Sequence, residues 1–324
     1  MPRRNVNTKR KPPARPVRAR RNVRRRSRRR GRSFFLVTLM VLAFAIGYYF
    51  AGDWLTAYFN RPGAVSLEAG QVMVSFIDVG QGDATLVRTA THAVLIDGGE
   101  QRNSRAVLDY LRHAGVTRLD YVVATHPHYD HIGGLIPVIA QLEIGRLLKP
   151  NVSHPDNTQA YQRFIQAIYN NDVYVVYSYL GYRLQAGLID MVVVAPTGEE
   201  WRQLNNHSIA LHKTHGQISF LFTADAEVDS ERRMLDGELD ISANVLRVGH
   251  HGSRTSTSYE FLQAVDPAFA VISLGANNRH GHPHREVMDR LQAQGAKIMR
   301  TDEMGTIRMI TNGQTIELVN TVSR

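Results

Sequence analysis

Cysteine is absent from all 324 residues. That removes disulfides, thiolate metal ligands and cysteine nucleophiles, and it is compatible with either a cytosolic or an exported protein. Acidic residues are absent from positions 1–33, which hold 16 of the 39 Lys and Arg. The formal charge of +10 is therefore a property of the tail. The remainder carries 23 basic against 29 acidic residues, a net −6, and cannot bind polyanions by overall charge. Lysine is scarce beyond the tail, where Lys149, Lys213 and Lys297 are the only ones. A nucleic-acid groove would have to be lined by arginines such as Arg247, Arg254 and Arg279. No short-period repeat is present, which argues against a solenoid.

The tail itself, "RRNVRRRSRRRGRS", has nothing apolar to bury and repels itself, so residues 1–33 are expected to be disordered. Behind it, Phe34 to Ala51 is an uncharged apolar run of 18 residues, close to the hydrocarbon thickness of a bilayer in helical rise. The reading is one membrane span over 34–52. The arginines before it and Asp53 after it keep the tail in the cytoplasm, on anionic lipid, and send the rest outside. Tyr48, Tyr49, Phe50 and Trp54 would form the outer aromatic belt. A cleaved signal peptide, suggested by the spacing of Ala43 and Ala45, is the competing reading, and both export the body. Residues 53–70 read as a linker and 71–324 as one folded domain.

That domain opens on β-branched runs closed by Gly or polar turns: "VMVSFIDV", "ATLVRT" and "HAVLIDGG". "SRAVLDYLRHAG" has helical periodicity through Val107, Leu108 and Leu111, with a stop at Gly115. "LDYVVATH" is a strand, and "GGLIPVIAQL" restarts a helix. The second half repeats this grammar in "VYVVYSYL", "LIDMVVVAP", "SIALHKT", "ISFLFTAD", "ANVLRVGHHG" and "FAVISLG". Its helices fall near 227–235, 258–264 and 284–294. Two strand-rich halves with appended helices predict an α/β (α+β) architecture, two packed sheets with helices outside.

Chemistry collects where strands end. "THPHYDHIGG", Thr125 to Gly134, crowds His126, His128, Asp130 and His131 into six positions after the apolar "YVVA". His126 and His128 can converge on one ion, while Asp130 and His131 face a neighbouring position. Imidazole nitrogens with carboxylate oxygens suit zinc, manganese or iron(II). The cluster therefore reads as two half-sites awaiting partners. Asp225 ends "FLFTAD", where a carboxylate can bridge two metals. His250 and His251 end "VLRVGHHGS", and Asp97 ends "LIDGG". An isolated Asp behind a strand more often caps a helix, but together with the histidines the balance favours ligation.

These motifs resemble the metallo-β-lactamase superfamily, whose HxHxDH signature matches His126, His128, Asp130 and His131. More narrowly, "DVGQGDA" (78–84), "LIDGG", "NNHS" (205–208), "FLFTAD", "VGHHGSRTSTS" (248–258) and "NNRHGHPH" (277–284) resemble the soluble ComEC-type hydrolase domain of DNA-uptake proteins, over about 250 residues. The resemblance implies an αββα sandwich holding two divalent ions, zinc or manganese. It makes His126, His128, Asp130, His131, Asp225 and one of His250 or His251 the ligands, with Asp97 and Asp83 supporting them. His207 is the available candidate for the histidine that many members place before the bridging aspartate. "TAD" replaces the more usual "TGD", so Ala224 must tolerate a glycine-like conformation.

The implied mechanism is hydrolysis by metal-activated water, with Asp130 or Asp225 accepting the proton. Ser253, Arg254, Thr255 and Ser256, with Asn206, would cradle a phosphate. His280, His282 or His284 would protonate a leaving alkoxide. The resemblance implies nucleic-acid phosphodiester hydrolysis at the outer surface. One span provides no channel for DNA import. Two alternatives stand beside it: hydrolysis of another surface ester (choline phosphate, with Tyr177, Tyr179 and Tyr182 as a cage, or a lactam), and a non-catalytic surface module that keeps a structural metal.

Overall fold

The computed structural model describes residues 65–196 and 201–319. The expected tail and membrane span at 1–33 and 34–52 lie outside the described residues. In chain order the first half comprises β1 (Val72–Phe76), β2 (Thr85–Arg88), β3 (Ala93–Ile96), α1 (Ser104–His113), β4 (Arg118–Val123), α2 (Tyr129–Ile132), α3 (Leu135–Gln141), β5 (Glu143–Lys149), α4 (Gln159–Asn170) and β6 (Val175–Tyr177). The second half comprises β7 (Arg183–Ala186), β8 (Ile189–Ala195), β9 (Ala210–His215), β10 (Ile218–Phe222), α5 (Val228–Asp236), β11 (Val245–Arg247), α6 (Tyr259–Val265), β12 (Phe269–Ile272), α7 (Arg285–Ala293), β13 (Lys297–Arg300), α8 (Thr301–Met304), β14 (Ile307–Thr311) and β15 (Ile316–Val319).

The strands make two sheets, ordered β15-β14-β1-β2-β3-β4-β5-β6 and β13-β12-β11-β10-β9-β8-β7. Alternation along each strand decides what each face covers. Val72, Val74 and Phe76 of β1, Val94 and Ile96 of β3, and Tyr121 and Val123 of β4 meet Met191, Val193, Leu211, Phe220 and Phe222 between the sheets. The opposite faces of β2, β3 and β4, through Leu86, Leu95 and Val122, pack on α1, α3 and α4. Leu221, Leu246 and Ala270 of the second sheet pack on α5, α6 and α7. Burying both faces of both sheets explains why the strands read as near-continuous apolar runs. The result is the expected αββα sandwich.

α1 buries Val107, Leu108 and Leu111 as its periodicity predicts. Gly115 (φ 70°) ends it, and the Val116 N–H returns to the Leu111 carbonyl. Leu67 is buried with Met73 and Ile310, and the Val65 carbonyl accepts from Arg88.

Candidate metal centre

Parallel pairing brings strand ends of like direction to one edge. β3 and β4 are parallel neighbours, as are β10 and β11, and β11 and β12. The chain leaves four of these strands through turns that carry the candidate residues. Asp97 (φ 56°) follows β3, Ala224 (φ 47°) precedes Asp225 after β10, and His250 (φ 45°) and His251 (φ 53°) follow β11. The left-handed region costs about 1–2 kcal/mol for a non-glycine residue, so the rest of the fold must hold these turns. Ala224 does adopt the conformation that glycine would supply.

The histidines converge on Asp225. Asp225 Oδ1 lies 3.3 Å from His131 Nε2 and 3.5 Å from His251 Nε2, while Oδ2 lies 3.8 Å from the Nε2 atoms of both His126 and His250. Asp130 Oδ2 is 3.5 Å from His251 Nε2, and His128 Nδ1 is 3.0 Å from His126 Nε2. The far side of each ring fixes its tautomer. His131 Nδ1 donates to Asp97 Oδ2 at 2.7 Å, and His251 Nδ1 to the Ser273 carbonyl at 2.7 Å. Asp97 also takes the Thr125 N–H (2.9 Å) and hydroxyl (2.7 Å), leaving that hydroxyl's lone pair to His126 Nδ1 at 3.1 Å. Three Nε2 lone pairs are thereby turned inward.

Those inward atoms test whether a metal fits. His131 Nε2, His251 Nε2 and Asp225 Oδ1 are buried and make no directed hydrogen bond to one another or to anything else. Ligand atoms of His126, His131 and Asp225, and of Asp130, His131 and His251, each gather within 4.8 Å. A buried polar atom without a partner costs about 1–3 kcal/mol, so several aimed at one volume fit a cation there. Nitrogen and carboxylate donors suit zinc or manganese.

Electrostatics point the same way. Burial opposes charge on Asp225, but His131, His251 and His250 outweigh it and hold the carboxyl well below its usual range. Burial likewise opposes charge on Asp130, and the adjacent His251 and His131 overcome it. Burial and the neighbouring His131 push His126 well down. His131, penalised by burial yet flanked by Asp225 and Asp97, rises well above its ordinary value. Behind the cluster, fully buried Arg247 pairs with Asp83 Oδ2 at 2.8 Å, stands 3.8 Å from Asp225 Oδ1 and donates to the carbonyls of Ala224 and Val248.

A profile of the Metallo-beta-lactamase superfamily matches residues 77–276. The chain belongs to the metallo-beta-lactamase superfamily. Its members are metal-dependent hydrolases. It is 33% identical over 256 residues to ComE operon protein 3 of Bacillus subtilis (strain 168), covering 72% of this chain and 32% of that protein. Over 263 residues it is 30% identical to Competence protein ComA of Neisseria gonorrhoeae, covering 76% and 35%. Both are ComEC-type competence proteins, and the chain spans about a third of the length of these relatives. The metallo-beta-lactamase fold protein YhfI from Bacillus subtilis shares the fold at a TM-score of 0.51 and 14% identity, covering 73% of this chain and 99% of that one.

Within this metallo-beta-lactamase domain, the expected ligands His126, His128, Asp130, His131, Asp225, His250 and His251 come together, with Asp97 and Asp83 directly behind them. His207 does not join them: its Nε2 is 3.0 Å from the Trp201 carbonyl, and it belongs to neither triad. A cleft of about 1120 Å³ opens over Asp130, Asp225, His250 and His251. The expected phosphate cradle does not line it. Ser256 is buried with its hydroxyl on the Gly249 and Ser253 carbonyls. Ser253 is buried beside Thr255, and the Arg254 guanidinium lies 3.8 Å from Glu286. Asn206 is buried and accepts the Glu227 and Ser230 N–H groups at the start of α5. Ser256 thus satisfies the backbone of its own turn, and Asn206 the first turn of α5.

His284 caps α7 and accepts the Arg254 N–H, outside the cleft, whereas His280 and His282 line it. Burial and the adjacent His251 and His250 rings push His282 down to about 3. Of the proposed groove arginines, Arg247 is interior and Arg279 lines the cleft, where Arg102 joins it. The tyrosine cage does not form at the site. The face of Tyr177 is occupied by Lys149, whose Nζ is 4.8 Å from the ring centroid, and Tyr177 lines a different cavity. Sequence reasoning missed Gln81, Arg102, Tyr129 and His154 in the cleft. Gln81 and His154 lie in loops, Arg102 in a short 3-10 turn and Tyr129 at the start of α2, so their position depends on how these segments fold over the edge.

Proposed function

We propose that the chain is a metal-dependent phosphodiesterase acting on nucleic acid, tethered to the membrane by residues 34–52 with its hydrolase domain outside. The observation that carries the catalytic reading is the division of one buried carboxylate: each oxygen of Asp225 faces a different pair of imidazoles. Asp130, His131 and His251 with Oδ1 would hold one ion, and His126 and His128 with Oδ2 a second. Divalent cations supply Lewis acidity there, making water nucleophilic at neutral pH and polarising the phosphoryl oxygen. Asp130, which lines the cleft and is only partly buried, would take the proton from the attacking water and pass it to the alkoxide oxygen as the P–O bond breaks. Arg102, Arg279 and Asn277 along the walls bind the phosphate charge in a chain whose body is otherwise acidic. The competence-protein relatives support a nucleic-acid substrate.

The test is hydrolysis of single-stranded DNA, double-stranded DNA and bis-p-nitrophenyl phosphate in excess manganese or zinc. Wild type is expected to cleave at least one DNA substrate, with Asp130→Ala at least about 100-fold slower, since the replaced carboxylate serves as both ligand and base. Equal, slow turnover by the two proteins would sink the reading.

A further inference from the structure

We infer that His250 is a further protein donor to the second ion's site, so that the consecutive histidines His250 and His251 serve different ions. This rests on the two-ion reading above, which gives the other ion four protein donors and leaves this one with His126, His128 and Asp225 Oδ2.

Four observations carry it. First, the imidazoles sort by oxygen: His250 stands as far from Asp225 Oδ2 as His126 does, 3.8 Å, whereas His251 lies on the Oδ1 side with His131. Second, His250 is held as metal-bound histidines are held, by its other nitrogen. Nδ1 lies 3.2 Å from Glu227 Oε1 and 3.1 Å from Thr255 Oγ1. The Thr255 hydroxyl itself donates to that carboxylate oxygen at 2.9 Å. With Nδ1 engaged by Glu227, Nε2 is left facing Asp225 Oδ2 at a distance that a cation held by both would occupy.

Third, the backbone is set for divergence. His250 (φ 45°, ψ 47°) and His251 (φ 53°, ψ 25°) are both left-handed, and their rings lie 6.2 Å apart at 64° to one another. In an extended strand, successive side chains would point to opposite faces. The double left-handed turn sends both rings to one cleft, at different oxygens of one carboxylate. Fourth, the segment expected to supply a histidine supplies something else. His207 is turned to Trp201, while Asn205 Nδ2 lies 3.2 Å from Glu227 Oε1. The same amide nitrogen lies 3.4 and 3.5 Å from the two nitrogens of His250, off the lone-pair axis of each. Asn205 therefore steadies the carboxylate that steadies His250.

The experiment is manganese binding to the 324-residue chain in detergent, read by stoichiometry and by the exchange-coupled electron paramagnetic resonance signal of a manganese pair. Wild type is expected to bind two ions and show the coupled signal. His250→Asn, chosen because Asn tolerates φ 45°, is expected to keep one ion, lose the coupled signal and bind the second at least about tenfold more weakly. Glu227→Gln, which leaves His250 in place, is expected to weaken the second ion about tenfold, and His207→Ala to change nothing. Near-ultraviolet circular dichroism confirms folding of each variant. Two ions bound with wild-type affinity by His250→Asn, or loss of the coupled signal in His207→Ala, overturns the His250 assignment while leaving the two-ion reading standing. A wild-type chain that takes up no pair ends both.

Discussion

Lys213 is among the largest fully buried side chains, and it serves nothing at the metal centre. It pairs across the sheet with Met191 and Phe220, both of the inter-sheet core, so its side chain enters that layer. Among the described residues its ammonium hydrogen-bonds only to the Thr214 carbonyl, at 3.4 Å. Burial pulls its pKa down from 10.5 to about 8, and Asp190 offsets only part of this. At pH 7 the group is still charged, and the fold bears its desolvation. Because the folded pKa lies below the unfolded one, that cost is complete below about pH 8, shrinks as pH rises and vanishes above 10.5. Lys213→Met is therefore expected to stabilise the protein at pH 7 by up to about 3 kcal/mol, with the gain fading by pH 10.5. Urea melts at pH 7 and pH 10 measure it, and a pH-independent effect would refute the assignment. Arg247 is the contrasting case: it is just as deeply buried, but its guanidinium pairs with Asp83 and donates to two carbonyls, so its charge is spent on the turns beneath Asp225.

At the scale of elements, the turns decide the site. Gly82 (φ 118°) lies where the β1–β2 turn presses on α2, and a Cβ there would overlap the Asp130 carbonyl, to which the Asp83 N–H donates at 3.2 Å. Gly82→Ala is expected to displace Asp130 and weaken ion binding at least about tenfold, read by manganese titration, with helix content intact by circular dichroism. Undiminished affinity would show that the turn does not position Asp130. The strands that carry ligands were legible because burial on both faces makes them apolar throughout and their ends are marked by Gly, His or Asp. β5, α4, β7 and β13 to β15 were not. Arg146 and Lys149 interrupt β5, and Glu317 and Leu318 of the edge strand β15 are exposed, so neither shows a clean period. "VYVVYSYL" pairs only over Val175–Tyr177, because the chain turns away at Ser178 toward the second sheet. Ligand types could be read from residue identity, but the roles of Ser253 to Ser256 and Asn206 could not. Hydroxyls and amides serve turns and substrates equally well, and only the fold tells which.

At the scale of the molecule, no helix among the described residues is long and apolar enough to cross a membrane. The proposed anchor at 34–52 predicts that the chain stays with membranes through alkaline carbonate, that removing residues 1–52 releases it, and that protease added to intact cells cuts the hydrolase domain. Release of the whole chain by carbonate would refute the anchor. A shorter mature chain, measured by mass spectrometry, would favour the cleaved-signal alternative. The donors are drawn from both halves of the sandwich: His126, His128, Asp130 and His131 hang from β4 of one sheet, and Asp225, His250 and His251 from β10 and β11 of the other. Cation uptake thus rivets two layers already joined by a greasy core and a few polar bridges such as Arg247–Asp83, and a slip of an ångström along their seam would silence chemistry long before any strand came loose.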